Sequence, residues 1–188
     1  MGESNGIMVK VKLLEFPKDK QWRGVYARAL VTVGKDLPKQ APSFAWRQSI
    51  LRARHSPIRY LRFSFYLELP YWVSVHLCRH VHAQPYVRSQ RNDRQDGYDR
   101  NSARQDAPVS MIWDMNAEEL ITIMQKRLCG KAASETREVA TKMRTEVERN
   151  CPEFAGFLTP PCWWQGGVCM EMKPCGENSV LLGNLKNF

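Results

Sequence analysis

Two short polar clusters that are close in the sequence could bind an anionic ligand. They are RHVH at residues 79–82 and SQR at residues 89–91. Arg79 and Arg91 can each hold a phosphate through two parallel N–H donors. The Ser89 hydroxyl and the backbone amides of the second cluster can donate further hydrogen bonds to it. Gln90 offers both a donor and an acceptor to a base edge. The pattern favours recognition of a phosphorylated ligand.

The two histidines of the first cluster do not form an obvious metal site. His80 and His82 are two residues apart, and this spacing places them on different faces of a regular helix. A structural or surface role is the more common one for each.

A second set of residues could act on a bound substrate. Asn116, Arg127 and Glu135 lie at or near the ends of two predicted helices. A cation at a helix C-terminus gains from the helix dipole, which is the structural interpretation of Arg127. Its permanent charge can also stabilise an anion that develops on a substrate, so Arg127 is the candidate catalytic residue.

Cysteines are concentrated in the last third of the chain, where five of the six lie after residue 128. In an intracellular protein, clustered cysteines indicate a metal site or free thiols more often than disulfides. Four thiolates could form a structural zinc site, although the spacing lacks the close C-x2-C pairs of typical sites. Unliganded thiols and a disulfide remain alternatives. The candidate ligands are Cys129, Cys162, Cys169 and Cys175. A catalytic thiol would need a nearby base, and all four histidines are far away in the sequence.

Composition predicts a soluble intracellular domain with an anionic partner. The chain has 188 residues, a formal net charge of +9, 43% hydrophobic residues and 25% charged residues. It has no apolar run near the ~20 residues that a membrane span needs, and its N-terminus lacks a signal-peptide core. We therefore expect a cytoplasmic protein without membrane contact. The charge favours a nucleic acid, a nucleotide or a phosphorylated cofactor. It is concentrated at Arg79, Arg88, Arg91, Arg94, Arg100 and Arg104, which favours a nucleotide phosphate over a DNA backbone.

Periodicity in the first half predicts two strands and three helices. Residues 8–15 alternate apolar and basic side chains, and residues 61–69 alternate more strongly, as in a strand with one buried face. Helices are predicted over 22–33, over 43–54 with Ser43 as N-cap, and over 71–83, where Pro85 ends the last of them.

The second half predicts a polar loop, two helices and an irregular tail. Residues 88–106 have loop composition. Asn116 and Glu119 have the spacing of a capping box at the start of a helix, and a second amphipathic helix covers 132–149. The predicted division is a main domain at residues 1–150 and a Cys/Pro/Gly-rich extension at residues 151–188.

Taken together, these segments resemble the flavin-dependent thymidylate synthase family, over residues 8–15 and 51–150. HSPIRYLRFSFYLEL is similar to the segment that leads into the family's alternating strand. CRHVHAQPYVRSQR is similar to its signature of Arg-His-Arg, seven residues and Ser. NAEELITIMQKRL and AASETRE are similar to its later segments, matched through Asn116, Arg127, Ala132 and Glu135. QRNDR, RLCGKAASETR and a tail ending in PCG are similar to a compact subgroup found in bacteriophages, which would place the protein in the host cytoplasm.

The resemblance implies an α+β fold, with an antiparallel sheet, packed helices and a Cys-rich irregular tail, that assembles as a homotetramer. It implies reductive methylation of dUMP to dTMP, with FAD as cofactor and with NADPH and methylenetetrahydrofolate as co-substrates. It places Ser56, Arg79, His80, Val81, His82 and Asn116 at FAD. The substrate set is His76, Arg79, Arg88, Ser89, Gln90, Arg91 and Arg127, with Arg127 stabilising negative charge on the uracil ring.

The chain departs from the family pattern at identifiable positions. Val81 stands at the third signature position instead of Arg, Val87 replaces a Glu, and Asn92 replaces a common Tyr. The segment at residues 92–115 is also several dozen residues shorter than usual. Two alternatives follow, namely a related enzyme that modifies another pyrimidine nucleotide and a non-catalytic descendant that binds nucleotides or nucleic acid.

Overall fold

The computed structural model describes residues 9–91, 97 and 99–177. Within these residues the chain forms four strands and six α-helices. The strands are β1 (Lys10–Glu15), β2 (Arg62–Pro70), β3 (Gln84–Val87) and β4 (Pro108–Asn116). The helices are α1 (Asp19–Val31), α2 (Phe44–Arg52), α3 (Tyr71–Cys78), α4 (Ala117–Arg127), α5 (Ser134–Asn150) and α6 (Pro161–Trp164). Two 3-10 turns cover Ser56–Tyr60 and Pro152–Phe154. No helix in this part of the chain is long and apolar enough to span a membrane.

The strands form one antiparallel sheet in the order β1-β2-β4-β3. The predicted alternation of β2 is confirmed, because Phe63, Phe65, Leu67 and Leu69 are buried on one face. Tyr66 on the other face donates a hydrogen bond to Glu68, which also pairs with Lys10. The predicted α+β class with an antiparallel sheet is therefore confirmed.

Strand β4 lies in a segment for which the sequence analysis predicted no element. Val109, Met111, Trp113 and Met115 are buried against the helices, and the residues between them face the other side of the sheet. This period-two pattern was present in the sequence. It places β4 between β2 and the edge strand β3, so the sheet depends on it.

The prediction of a helix over residues 71–83 is wrong at its C-terminal end. Helix α3 ends at Cys78, and the chain turns through His80 to enter β3. Pro85 lies within β3 opposite Trp113. An edge strand tolerates proline because one side of the strand has no partner for an N–H. His80 and His82 therefore lie in a turn, and the argument from helix spacing does not apply to them.

Helices α3, α4 and α5 pack with the sheet around one hydrophobic core. The predicted N-caps are confirmed, since Ser43 accepts a hydrogen bond from the N–H of Trp46 and Asn116 accepts one from Glu119. Phe154 and Leu158, which follow α5, are fully buried in the same core. The start of the extension thus packs with the preceding domain, and the boundary at residue 150 stays a prediction.

Substitutions at adjacent positions of β4 should differ sharply in stability. Met111 is 1% exposed and Ile112 is 38% exposed, on opposite faces of the sheet. We expect Met111→Ala to lower the free energy of unfolding by about 2–5 kcal/mol because it leaves a cavity, and Ile112→Ala to lower it by less than about 1 kcal/mol. Urea unfolding measures both values. Equal losses would contradict the orientation of β4.

Candidate active site

Arg127 is held in place by two residues that follow a different strand. It is the last residue of α4 and its side chain reaches the end of α3. Its Nε donates a hydrogen bond to Nε2 of His80 at 2.9 Å, and its Nη2 donates one to the backbone carbonyl of His76 at 2.8 Å. A guanidinium fixed at two atoms is pre-oriented, which is what charge stabilisation requires.

His80 is a neutral acceptor in this arrangement. Its side chain is 12% exposed, and burial, aided by the charge of Arg127, lowers the pKa of His80 to about 4. Because Nε2 accepts from Arg127, the ring proton is assigned to Nδ1. Nδ1 lies 3.7 Å from the carboxylate of Glu119, whose pKa is raised chiefly by burial. His80 thus connects the guanidinium to a buried carboxyl group.

A second cationic side chain, that of Arg79, lies near enough to Arg127 to influence it electrostatically. Burial lowers the pKa of Arg127, and the positive charge of Arg79 lowers it further. Arg79 is the exposed C-cap residue of α3. Two adjacent guanidinium groups remain charged and repel each other, so an anion placed between them would be stabilised.

Beside Arg127 lies a cavity of about 540 Å³ between the end of α4 and the tail. His80 and Arg127 line one side of it, and Gln125 and Lys126 extend that side. These last two residues were not predicted. The sequence signal was available, because they directly precede Arg127 in the same final turn of α4.

The remaining signature residues lie on the surface outside this lining. Val81 is 75% exposed and His82 is exposed in the turn after α3. Arg88 continues the pairing with β4 through its N–H to the carbonyl of Ser110, and the next residues run into the loop. Of that run, Arg88, Ser89 and Arg91 are exposed and Gln90 is half-buried.

The wider arginine set is only partly available for a ligand. Arg104 forms an ion pair with Asp106 at 2.6 Å. Arg94 lies outside the described residues. The nucleotide-binding role predicted for residues 88–91 stays a prediction.

Asn116, predicted with Ser56 to lie near the flavin, is placed away from Arg127. Asn116 precedes α4, whose 11 residues separate it from Arg127 by about 16 Å along the helix axis. Ser56 is exposed at the start of the first 3-10 turn. Glu135 is exposed at the start of α5, where the Ser134 hydroxyl donates to it.

Replacing Asn116 separates its capping role from any role in binding. Asn116→Ala removes the acceptor for the Glu119 N–H and should lower the free energy of unfolding by about 1 kcal/mol. Asn116→Asp keeps that acceptor and should retain stability. Thermal unfolding and FAD titration of both variants provide the measurement. Loss of FAD affinity in the stable Asp variant would show that Asn116 contacts the cofactor, whereas equal stability of both variants would contradict the capping role.

The tail brings its cysteines to the same cavity. Cys129, Cys162, Cys169 and Cys175 all contribute to its lining. Burial raises the pKa of Cys162, and the other three thiols raise it further. Among the described residues, no three His, Cys, Asp or Glu side chains are positioned to hold a metal ion as they stand. His80 lines this cavity too, although it is far from these cysteines in the sequence.

Comparisons with known proteins show a family model that matches part of the chain. A family model described as thymidylate synthase complementing protein matches residues 100–153. The chain resembles this family over that segment, which is less than a third of its length. The match to the thymidylate synthase complementing protein family includes Asn116, Arg127 and Glu135 but does not include residues 79–91.

A solved structure shows the same fold. A UMP/dUMP methylase, PolB from Streptomyces cacaoi, determined with bound 5-Br dUMP, superposes with a TM-score of 0.65 at 16% sequence identity. The similarity covers 82% of this chain and 98% of that one. A search of curated proteins gives no significant match. The fold of that solved structure is thus present over most of this chain.

Proposed function

We propose that this protein binds a pyrimidine nucleoside monophosphate, with dUMP as the first candidate, and transfers a one-carbon unit to the uracil ring, giving dTMP. The observation that carries the proposal is Arg127, fixed by His80 and by the His76 carbonyl beside a cavity and a second cation. The match of residues 100–153 to the thymidylate synthase complementing protein family and the fold shared with a UMP/dUMP methylase support it.

The chain's own residues would bind and polarise the nucleotide. Arg79 and the exposed Arg88–Arg91 segment supply donors for the phosphate. The guanidinium of Arg127 stabilises negative charge on the uracil ring, which makes the ring a better nucleophile. His80 has to be neutral for this, because a protonated imidazole could not accept the Arg127 hydrogen bond.

The turn after α3 fits an FAD diphosphate in part. Arg79 is an exposed cation there, while Val81 presents an apolar side chain that is 75% exposed where the resembled family has a third cationic position. Arg79 and His82 would hold the cofactor. FAD, when bound and reduced by NADPH, supplies the hydride that converts a methylene unit from methylenetetrahydrofolate to methyl. The exposure of this turn fits a site completed by other copies of the chain in a homotetramer.

The decisive experiment is binding and turnover with purified protein. We expect a flavin spectrum or saturable FAD binding, dUMP binding by calorimetry, and dTMP by mass spectrometry when methylenetetrahydrofolate and NADPH are added. The absence of both FAD and dUMP binding would overturn the proposal.

Parallel incubations distinguish the other functions. A modified product from dCMP, but none from dUMP, would indicate a different pyrimidine nucleotide. DNA binding that weakens steeply with salt, together with no nucleotide turnover, would indicate a non-catalytic nucleic-acid-binding protein.

A further inference from the structure

Four of the six cysteines surround a single cavity, although they are far apart in the sequence. Cys129 follows α4, Cys162 lies in α6, and Cys169 and Cys175 lie in the irregular tail. All four line the cavity of about 540 Å³. Cys162 and Cys169 are buried, and Cys129 and Cys175 are half-buried. None of them forms a disulfide.

Close backbone contact brings the tail to the end of α4. A Cβ added at Gly130 would lie 3.1 Å from the Cβ of Cys175 and 2.8 Å from the carboxyl carbon of Glu177. The Glu177 carboxylate pairs with Arg137 of α5 at 3.1 Å. The segment that carries Cys175 therefore packs directly on the residue that follows Cys129.

Several large apolar side chains of the distal tail are exposed. Trp163 is 60% exposed, Met170 is 67% exposed and Met172 is 99% exposed. Residues 165–177 contain no helix or strand beyond an isolated bridge. An irregular segment with this much exposed apolar surface would gain stability from a cross-link.

We propose that Cys129, Cys162, Cys169 and Cys175 bind one zinc ion and that this site fastens the tail to the end of α4. Four thiolates in a tetrahedron are a common structural zinc set. The side chains must turn toward the cavity centre, since no three of them are yet placed to hold an ion. Each thiol releases its proton to solvent as it binds the metal, and no oxidant or reductant is required.

A zinc ion here would also restrain one wall of the cavity beside Arg127. Cys129 is two residues from Arg127, and both line the same space. Zinc content is measured without nucleotide or flavin, so its outcome is independent of the proposed function.

Metal analysis of the full-length protein, purified without chelator, tests the site. We expect about one zinc per chain, and cobalt substitution should give thiolate-to-metal charge-transfer bands together with the d–d bands of a tetrahedral ion. Cys162→Ser and Cys175→Ser should each lose most of the bound zinc. Cys78→Ser is the matched control, because Cys78 lies in α3 outside the cavity lining, and it should keep the full amount.

Other outcomes overturn the proposal. These are less than about half an equivalent of zinc, iron in its place, or a disulfide among the four cysteines in mass spectra of the unreduced protein. Equal zinc loss in Cys78→Ser and Cys162→Ser would do the same. If the serine variants do not fold, the zinc content and cobalt spectrum of the wild-type chain still decide the question.

Discussion

Replacing Arg127 by Gln should lower the rate of nucleotide methylation by about 10²–10³-fold, because removing one preorganised donor at a developing negative charge has an effect of this size. Gln is uncharged, and it cannot reach both Nε2 of His80 and the His76 carbonyl as the guanidinium does. Arg127→Lys keeps the positive charge but lacks the planar guanidinium that forms both hydrogen bonds, so we expect an intermediate rate. Steady-state kinetics with dUMP measures both variants.

The distribution of the effect between kcat and KM identifies the role of Arg127. A role in stabilising charge during the reaction predicts a fall in kcat, whereas a role in binding alone predicts a rise in KM with kcat unchanged. Arg149→Gln is the control, since Arg149 is a surface residue paired only with Glu146 at 2.8 Å among the described residues. A folded Arg127→Gln enzyme with wild-type kcat would contradict the assignment.

Local signals in the sequence predicted the elements that depend on local interactions. The alternation in β2 and the caps at Ser43 and Asn116 were correct because each rests on side chains within a few residues. The end of α3 was predicted too late. The chain leaves the helix so that β3 can pair with β4, and that pairing is a tertiary interaction.

The centre of the candidate site was predicted as two separate groups. Arg127 and His80 were both selected from the sequence, yet their contact joins residues 47 positions apart. No spacing rule connects them. The contact follows from β2 and β4 lying side by side, which brings the end of α3 toward the end of α4. Four cysteines also line one cavity with His80, although they are far from it along the chain.

Acid should destabilise the wild-type protein through His80, and His80→Gln should remove much of this effect. The pKa of His80 falls from 6.5 in the unfolded chain to about 4 in the fold. Between pH 4 and pH 6.5 the unfolded state binds more protons at His80 than the folded state does. The contribution of His80 to the free energy of unfolding is therefore fully present above pH 6.5 and is lost as the pH falls toward 4. The loss attributable to His80 is at most about 3.4 kcal/mol, at 1.36 kcal/mol for each pKa unit.

The charged groups around His80 determine how this experiment has to be designed. Glu119 faces Nδ1, and burial raises its pKa, so its own contribution decreases as the pH rises, which is the opposite direction. Arg127 faces Nε2 and stays charged, and His82 lies near Glu119. The difference between wild type and His80→Gln at each pH isolates His80, because Glu119, Arg127 and His82 are present in both proteins.

Gln at position 80 can still accept the Arg127 hydrogen bond but cannot gain a proton. We expect His80→Gln to unfold with a free energy close to wild type near neutral pH and to lose less stability in acid, as measured by urea unfolding across the range. His55→Gln, which changes an exposed histidine before the first 3-10 turn, should keep the wild-type acid dependence. If His80→Gln loses as much stability in acid as the wild type does, His80 is not a buried, neutral side chain in the folded protein. Protonation of His80 would also place a cation against the guanidinium of Arg127, so nucleotide binding should weaken over the same pH range in which stability is lost.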